Sequence, residues 1–411
     1  MRQLILATLL AAASSAQTLI NPADIPAATK ALEYHEGEKN LRCDVLPSKP
    51  ALNFGLRLQA GYLLEVPLAQ FYGAGHTWTT TLRVTPEGGR APAYLTDRID
   101  LPVTSHPEFT AQTTGTFLLG EGRYHVEFAV TDDTGRICRK EWQIAAAPDR
   151  SERSIKVAMP PGAVADLSYS PTAGSAPAGL PVPRRITVLM NSSPPYKPRL
   201  RFLPGTMVPG GPPEFVDYRE ALLGILSSLL EKLPGTAVRL AVFDLDQQRE
   251  VLRQDNFTLK DMAKAAHAAD DLEHWVVTVR ELQELPGKWG LLANLIRREI
   301  NQPEQSDVIL FLGPRIGSAG EMPAHFLEIE KRAEERFLYL QYSLAHEGIL
   351  PGPPPEMSTT PPDRRPSTPG GPRELDPLDA IDLTVARLKG KTLTVYSPLE
   401  FAKAIETIKH R

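Results

Sequence analysis

From residue 185 onward, short apolar runs alternate with amphipathic stretches of helical period, and few folds accept that pattern. Ile186 to Met190, Val238 to Phe243, Asp307 to Leu312, Phe337 to Tyr342 and Leu393 to Tyr396 read as buried strands. Between them, Phe215 to Leu233 carries Leu222, Leu226, Leu229, Leu230 and Leu233 on one stripe, the spacing of a helix with one buried face. Pro234-Gly235 ends it. Leu259 to Ala269, Trp289 to Ile300, His325 to Arg336, Leu378 to Leu388 and Pro398 to Lys409 read as further helices. Glu250 to Arg253 follows the turn Asp244-Leu245-Asp246-Gln247-Gln248 and reads as a hairpin partner of the strand before it. Apolar strands separated by helices predict an α/β domain over 185–411, with a mostly parallel, doubly wound sheet covered on both faces. Residues 348–377 are rich in Pro and Gly and are expected to be a disordered insertion.

Upstream the period changes to two. In His125-Val126-Glu127-Phe128-Ala129-Val130, the residues Val126, Phe128 and Val130 fall on one face. The turn Asp132-Asp133-Thr134-Gly135 follows, then a strand through Cys138, Trp142 and Ile144. With Leu56 to Leu58, Tyr62 to Leu68 and Trp78 to Val84, these short strands predict an all-β, Ig-like sandwich over 41–146. Residues 17–40 form a lead-in. Residues 147–184 hold many of the chain's 39 prolines and read as a linker, with a docked strand near Ile155-Lys156-Val157.

The first sixteen residues have the pattern of a secretory signal peptide. Arg2 precedes an apolar run from Leu4 to Ala13, and Ser14 and Ala16 are small residues at −3 and −1 of a cut after Ala16. The apolar run is shorter than the roughly 20 residues that span a bilayer. The mature chain is therefore expected to be secreted or periplasmic, with no integral membrane segment. An oxidising compartment predicts a disulfide between the two cysteines, Cys43 and Cys138. A net charge of −4 without a basic patch argues against nucleic-acid binding.

The strand ending in Asn191-Ser192-Ser193, the long helix, the hairpin 238–253, the helix 289–300 and the strand Val308-Ile309-Leu310-Phe311-Leu312-Gly313 follow the order of a von Willebrand factor A domain, and residues 185–411 resemble that family. With the leader and the sandwich, the whole resembles the secreted von Willebrand factor A-related proteins of acidobacteria. The resemblance implies a metal-ion-dependent adhesion site at the C-terminal ends of the strands. Its pattern D-x-S-x-S reads here as Asn191, Ser193 and Pro195. The loop around Gly287-Lys288-Trp289-Gly290 offers no Thr, and Leu312 stands before Gly313 where the family has Asp. Magnesium requires oxygen ligands that include carboxylates, so no metal and no cofactor are expected at this place.

The expected function is non-catalytic: a protein partner bound at the C-terminal strand edge, through Asn191, Ser192, Ser193, Asp244, Asp246 and Gly313 and the loops 205–215, 244–248, 284–290 and 313–322. The rival is a secreted hydrolase or metal-dependent binder that uses Asp244 and Asp246 or Ser193. Asp244 and Asp246 share the edge with the eroded site and could supply substitute ligands, but they read more simply as a solvated hairpin turn. Ser192 and Ser193 lack the flanking glycines of a nucleophile elbow. Asn256-Phe257-Thr258 and Asn191-Ser192-Ser193 are formal glycosylation acceptors.

Overall fold

The computed structural model describes residues 17–33, 35–71, 76–101, 110–167, 183–193, 218–273, 287–316, 322–327, 336–342 and 379–411. Residues 1–16, expected to be a leader, and residues 348–377, expected to be an insertion, lie outside the described residues, as does most of 325–336. The described residues divide into two compact units, one up to residue 167 and one from residue 183.

The N-terminal unit is two sheets packed face to face. Its elements are β1 (Thr18–Leu19), α1 (Ile25–Leu32), β2 (Lys39–Asn40), β3 (Asp44–Pro47), β4 (Ala51–Leu52), β5 (Leu58–Pro67), β6 (Thr77–Pro86), β7 (Ala93–Asp100), β8 (Thr110–Leu119), β9 (Gly122–Asp132), β10 (Arg136–Ala146) and β11 (Val164–Ala165). One sheet runs β1-β7-β6-β9-β10-β2; the other runs β11-β8-β5-β3, with β4 also on β5. Period-two patterning sends Val126, Phe128 and Val130 of β9 into the interface, each at most 1% exposed. There Phe128 meets Tyr62 of β5 edge to face, with centroids 4.8 Å apart. Tyr62 fits because β8 offers a bare backbone beneath its ring. A Cβ on Gly115 would lie 2.4 Å from the phenol.

Both flanks of the sandwich contribute more than their composition suggests. The lead-in supplies β1, which pairs with β7, and α1, whose Ala28 and Leu32 pack on Tyr94 and Ala129. The stretch read as a linker supplies β11, which pairs with β8. Ile155, Val157 and Met159 are buried ahead of it. The cysteines form a disulfide, Cys43 to Cys138, with Cα atoms 6.2 Å apart. It ties β10, in one sheet, to the residue before β3, in the other.

The C-terminal unit has β12 (Arg185–Asn191), α2 (Tyr218–Lys232), β13 (Ala237–Asp244), β14 (Arg249–Gln254), α3 (Met262–Glu273), α4 (Gly287–Ile300), β15 (Val308–Pro314), β16 (Phe337–Tyr342), α5 (Ala380–Arg387), β17 (Lys391–Val395) and α6 (Pro398–Lys409). The strand order is β14-β13-β12-β15-β16-β17, parallel throughout except for β14. Parallel strands need helical crossovers, and helices cover both faces. Ile186, Val188, Val238 and Leu310 face the leucine stripe of α2. Leu189, Phe243, Phe311 and Tyr339 share a core with Leu292 of α4 and Ile381 of α5. The chain reverses its direction of winding between β12 and β15.

A buried ion network holds the N-terminal half of this sheet against α4. Glu299, 1% exposed at its side chain, accepts from Arg239 and Arg253. It also accepts from Thr187 Oγ1 at 2.8 Å.

Candidate functional site

The C-terminal ends of β12 and β13 lie side by side because the two strands pair in register, Asn191 opposite Phe243. That register brings four of the residues singled out in the sequence into one hydrogen-bonded cluster. Asn191 Oδ1 accepts from Ser193 Oγ at 2.9 Å and from Leu245 N at 3.1 Å. Ser193 Oγ lies 3.0 Å from Asp244 Oδ1 and accepts from Leu245 N at 2.7 Å and Asp246 N at 3.2 Å. Asp244 Oδ1 accepts further from Asp246 N at 2.7 Å and Gln247 N at 2.8 Å. Asn191 and Ser193 are fully buried and Asp244 is 3% exposed.

Within the turn after β13, Asp244 is thus withdrawn from solvent while Asp246 is exposed. Asp244 folds its carboxylate back over its own turn, taking the backbone N–H groups that the change of direction leaves open. Asp246 is half-exposed and pairs with Lys288 Nζ at 2.5 Å, which links this turn to the first turn of α4. Ser192 is committed to the backbone: its N and Oγ donate to Phe243 O at 2.8 and 3.3 Å.

Gly313 stands on the other side of Asn191. Leu312 pairs with Met190, and a Cβ on Gly313 would lie 3.0 Å from Asn191 Cβ. The absent side chain lets β15 and β12 end flush at the point where the winding reverses, the place at which open α/β sheets hold their ligands. Asn191 Nδ2 is buried there without a hydrogen-bond partner.

A second polar centre, which the sequence reading did not single out, lies at the ends of β15 and β16. Asp379 caps α5, accepting from Ile381 N at 2.8 Å and Asp382 N at 3.2 Å. Its other oxygen accepts from Ile316 N, Tyr339 OH and Gln341 Nε2 at 3.1–3.2 Å. The N-cap position was the available signal, an Asp directly before an apolar stretch of helical period.

No family model matches this chain, and no curated protein matches it. Among solved structures it is similar to the hypothetical protein PH1083 from Pyrococcus horikoshii OT3, at 14% identity over 28% of this chain and 98% of that one, with a TM-score of 0.20. It is also similar to superoxide reductase (neelaredoxin) from Archaeoglobus fulgidus, at 13% identity over 26% of this chain and 89% of that one, with a TM-score of 0.18. At such TM-scores these likenesses carry no argument about fold or activity.

Among the described residues, no three His, Cys, Asp or Glu side chains converge as a metal-binding group, and no helix is long and apolar enough to cross a membrane. Burial raises the carboxyl groups of Asp244 and Asp379 above the ordinary carboxylate range, outweighing the N–H groups that stabilise their anions. A raised value in the folded state stabilises the protonated fold. That contribution is complete below the unfolded value of about 3.9 and is lost as pH climbs through the raised one. Asp244→Asn cannot titrate, so it is expected to flatten the gain in stability of the C-terminal unit as pH falls from neutrality toward the unfolded value of about 3.9. Urea midpoints across that range measure it, and an unaltered slope would mean that Asp244 titrates as an ordinary surface carboxylate.

Proposed function

We propose that this chain is a secreted, non-catalytic interaction protein. In this reading an Ig-like sandwich carries a von Willebrand factor A-like domain without a metal, and the C-terminal strand edge of that domain receives a protein partner. The strand order, with a single antiparallel strand at one edge, supports the family assignment. The observation that carries the metal-free reading is the commitment of oxygens at the edge. Asn191 Oδ1, Ser193 Oγ and Asp244 Oδ1 each accept at least two hydrogen bonds from within the cluster.

A magnesium ion takes near-octahedral oxygen ligands at about 2.0–2.1 Å and is reluctant to lose its waters. Here it would have to strip three oxygens of their N–H partners, with Asp244 as the one carboxylate among them. The residues do not fit the ion. The same commitment speaks against the hydrolase reading: Ser193 Oγ is buried and its lone pairs already receive Leu245 N and Asp246 N.

Connection lengths support the choice of edge. Chain leaves the C-terminal ends of the strands at Ser193, Ile316 and Tyr342, with 24, 20 and 36 residues before Tyr218, Phe337 and Asp379. At the opposite edge, turns of a few residues join α2 to β13 and α5 to β17. Long connections at one end of a rigid sheet are where binding surfaces are built.

Calorimetric titration of the full chain with magnesium and manganese is expected to give no heat above dilution. Capture of a partner is expected to fail for the double variant Asp246→Arg, Lys288→Glu. Micromolar cation binding that Asp244→Ala abolishes would replace this reading with the metal-dependent one.

A further inference from the structure

Gln17 is a buried polar residue that the partner-binding reading does not use. It precedes the short edge strand β1, yet it is 1% exposed. Its Nε2 donates to the Tyr62 hydroxyl at 2.8 Å and to Thr80 Oγ1 at 3.0 Å. Tyr62 belongs to β5 in one sheet and Thr80 to β6 in the other, so a single amide bridges the two layers. Burial pushes the Tyr62 phenol well above its usual range and keeps it a hydroxyl. Two residues on, Leu19 N donates to Asp166 Oδ2 at 3.1 Å, which fastens β1 to the residue that follows β11.

The pattern Ser14-Ser15-Ala16 reads as a leader cut directly before this residue. An amino-terminal glutamine has a reaction that an internal one lacks. Its α-amino nitrogen attacks the side-chain Cδ, the bond from Cδ to Nε2 breaks, and Nε2 leaves as ammonia with a proton from the attacking amine. A lactam remains, and no oxidant, reductant or other reactant is consumed.

We infer that removal of the leader makes Gln17 a cyclisation site in the unfolded chain and a protected bridge between the sheets in the folded one. The lactam has no Nε2, and its ring closes back on its own backbone. It cannot reach Tyr62 and Thr80 together, so it would leave both hydroxyls buried without their amide partner. Folding and cyclisation therefore compete for one atom. The outcome fixes whether β1 docks with its bridge in place. This inference depends on the cut after Ala16 and is independent of the partner-binding reading.

The test is intact-mass measurement on the full precursor exported by a bacterial host. The folded, disulfide-bonded product is divided. One half is treated with glutaminyl cyclase as it stands, the other after reduction and unfolding. The folded chain is expected to begin at Gln17 and to keep its ammonia throughout, while the unfolded chain loses one ammonia completely. A mature chain that begins elsewhere would overturn the proposal. So would a folded chain isolated as the lactam, or equal rates of loss in the two halves.

Discussion

Replacing Glu299 by alanine is expected to destabilise the C-terminal unit by about 3–5 kcal/mol, the usual consequence of removing one partner from a buried ion pair. The carboxylate serves three groups at once: the guanidinium groups of Arg239 and Arg253 and the hydroxyl of Thr187. Arg239 is 5% exposed at its side chain, so it has little water to turn to. Asp255 would still pair with it, and Glu250 with Arg253, which keeps the loss within that range. Equilibrium urea unfolding of the full chain measures it, with two transitions expected from two compact units. A loss under about 1 kcal/mol, the level of a surface pair, would show that Glu299 is not the keystone of the network.

Removing the disulfide by changing Cys43 and Cys138 to serine is expected to cost the other unit about 2–5 kcal/mol. The bridge closes 95 residues of sequence, and a long closed loop restricts the unfolded chain strongly. Seven of the eleven strands of this unit, β3 to β9, lie within that loop. Glu299→Ala and the cysteine pair should therefore move different transitions, and their effects should add, because the sites share no partner. A variant that moves both transitions together would mean that the two units unfold as one.

The large features of the C-terminal unit can be read from sequence because buried parallel strands are apolar along their whole length. Val308 to Leu312 has no polar position that could leave its identity in doubt. Its interior charges are harder to see. Arg239, Arg253 and Glu299 look like ordinary surface residues, and their pairing spans 46 and 60 residues, so no local pattern announces it. Asp244 misled for a different reason. Asp-Leu-Asp-Gln-Gln is the composition of a solvated turn, and whether such an Asp turns outward or back onto its own backbone depends on what packs over it. Here Ser193 does.

In the sandwich, Pro160-Pro161-Gly162 hid the end of the domain. The alternation of Ile155, Val157 and Met159 just before them buries those side chains without forming the strand expected there; the strand of this stretch is β11.

The two ends of the parallel sheet also differ in what they can tolerate over time. Lengthening a long loop costs only about 0.6 kcal/mol per doubling, so insertions beyond Ser193, Ile316 or Tyr342 leave the framework nearly untouched. The opposite end has no such freedom, since Glu299, Arg239 and Thr187 must meet within hydrogen-bonding distance under turns of a few residues. Lineages of this protein should therefore drift in length at one pole and hold still at the other. A gathered set of homologous sequences would carry that asymmetry as gaps clustered on a single side.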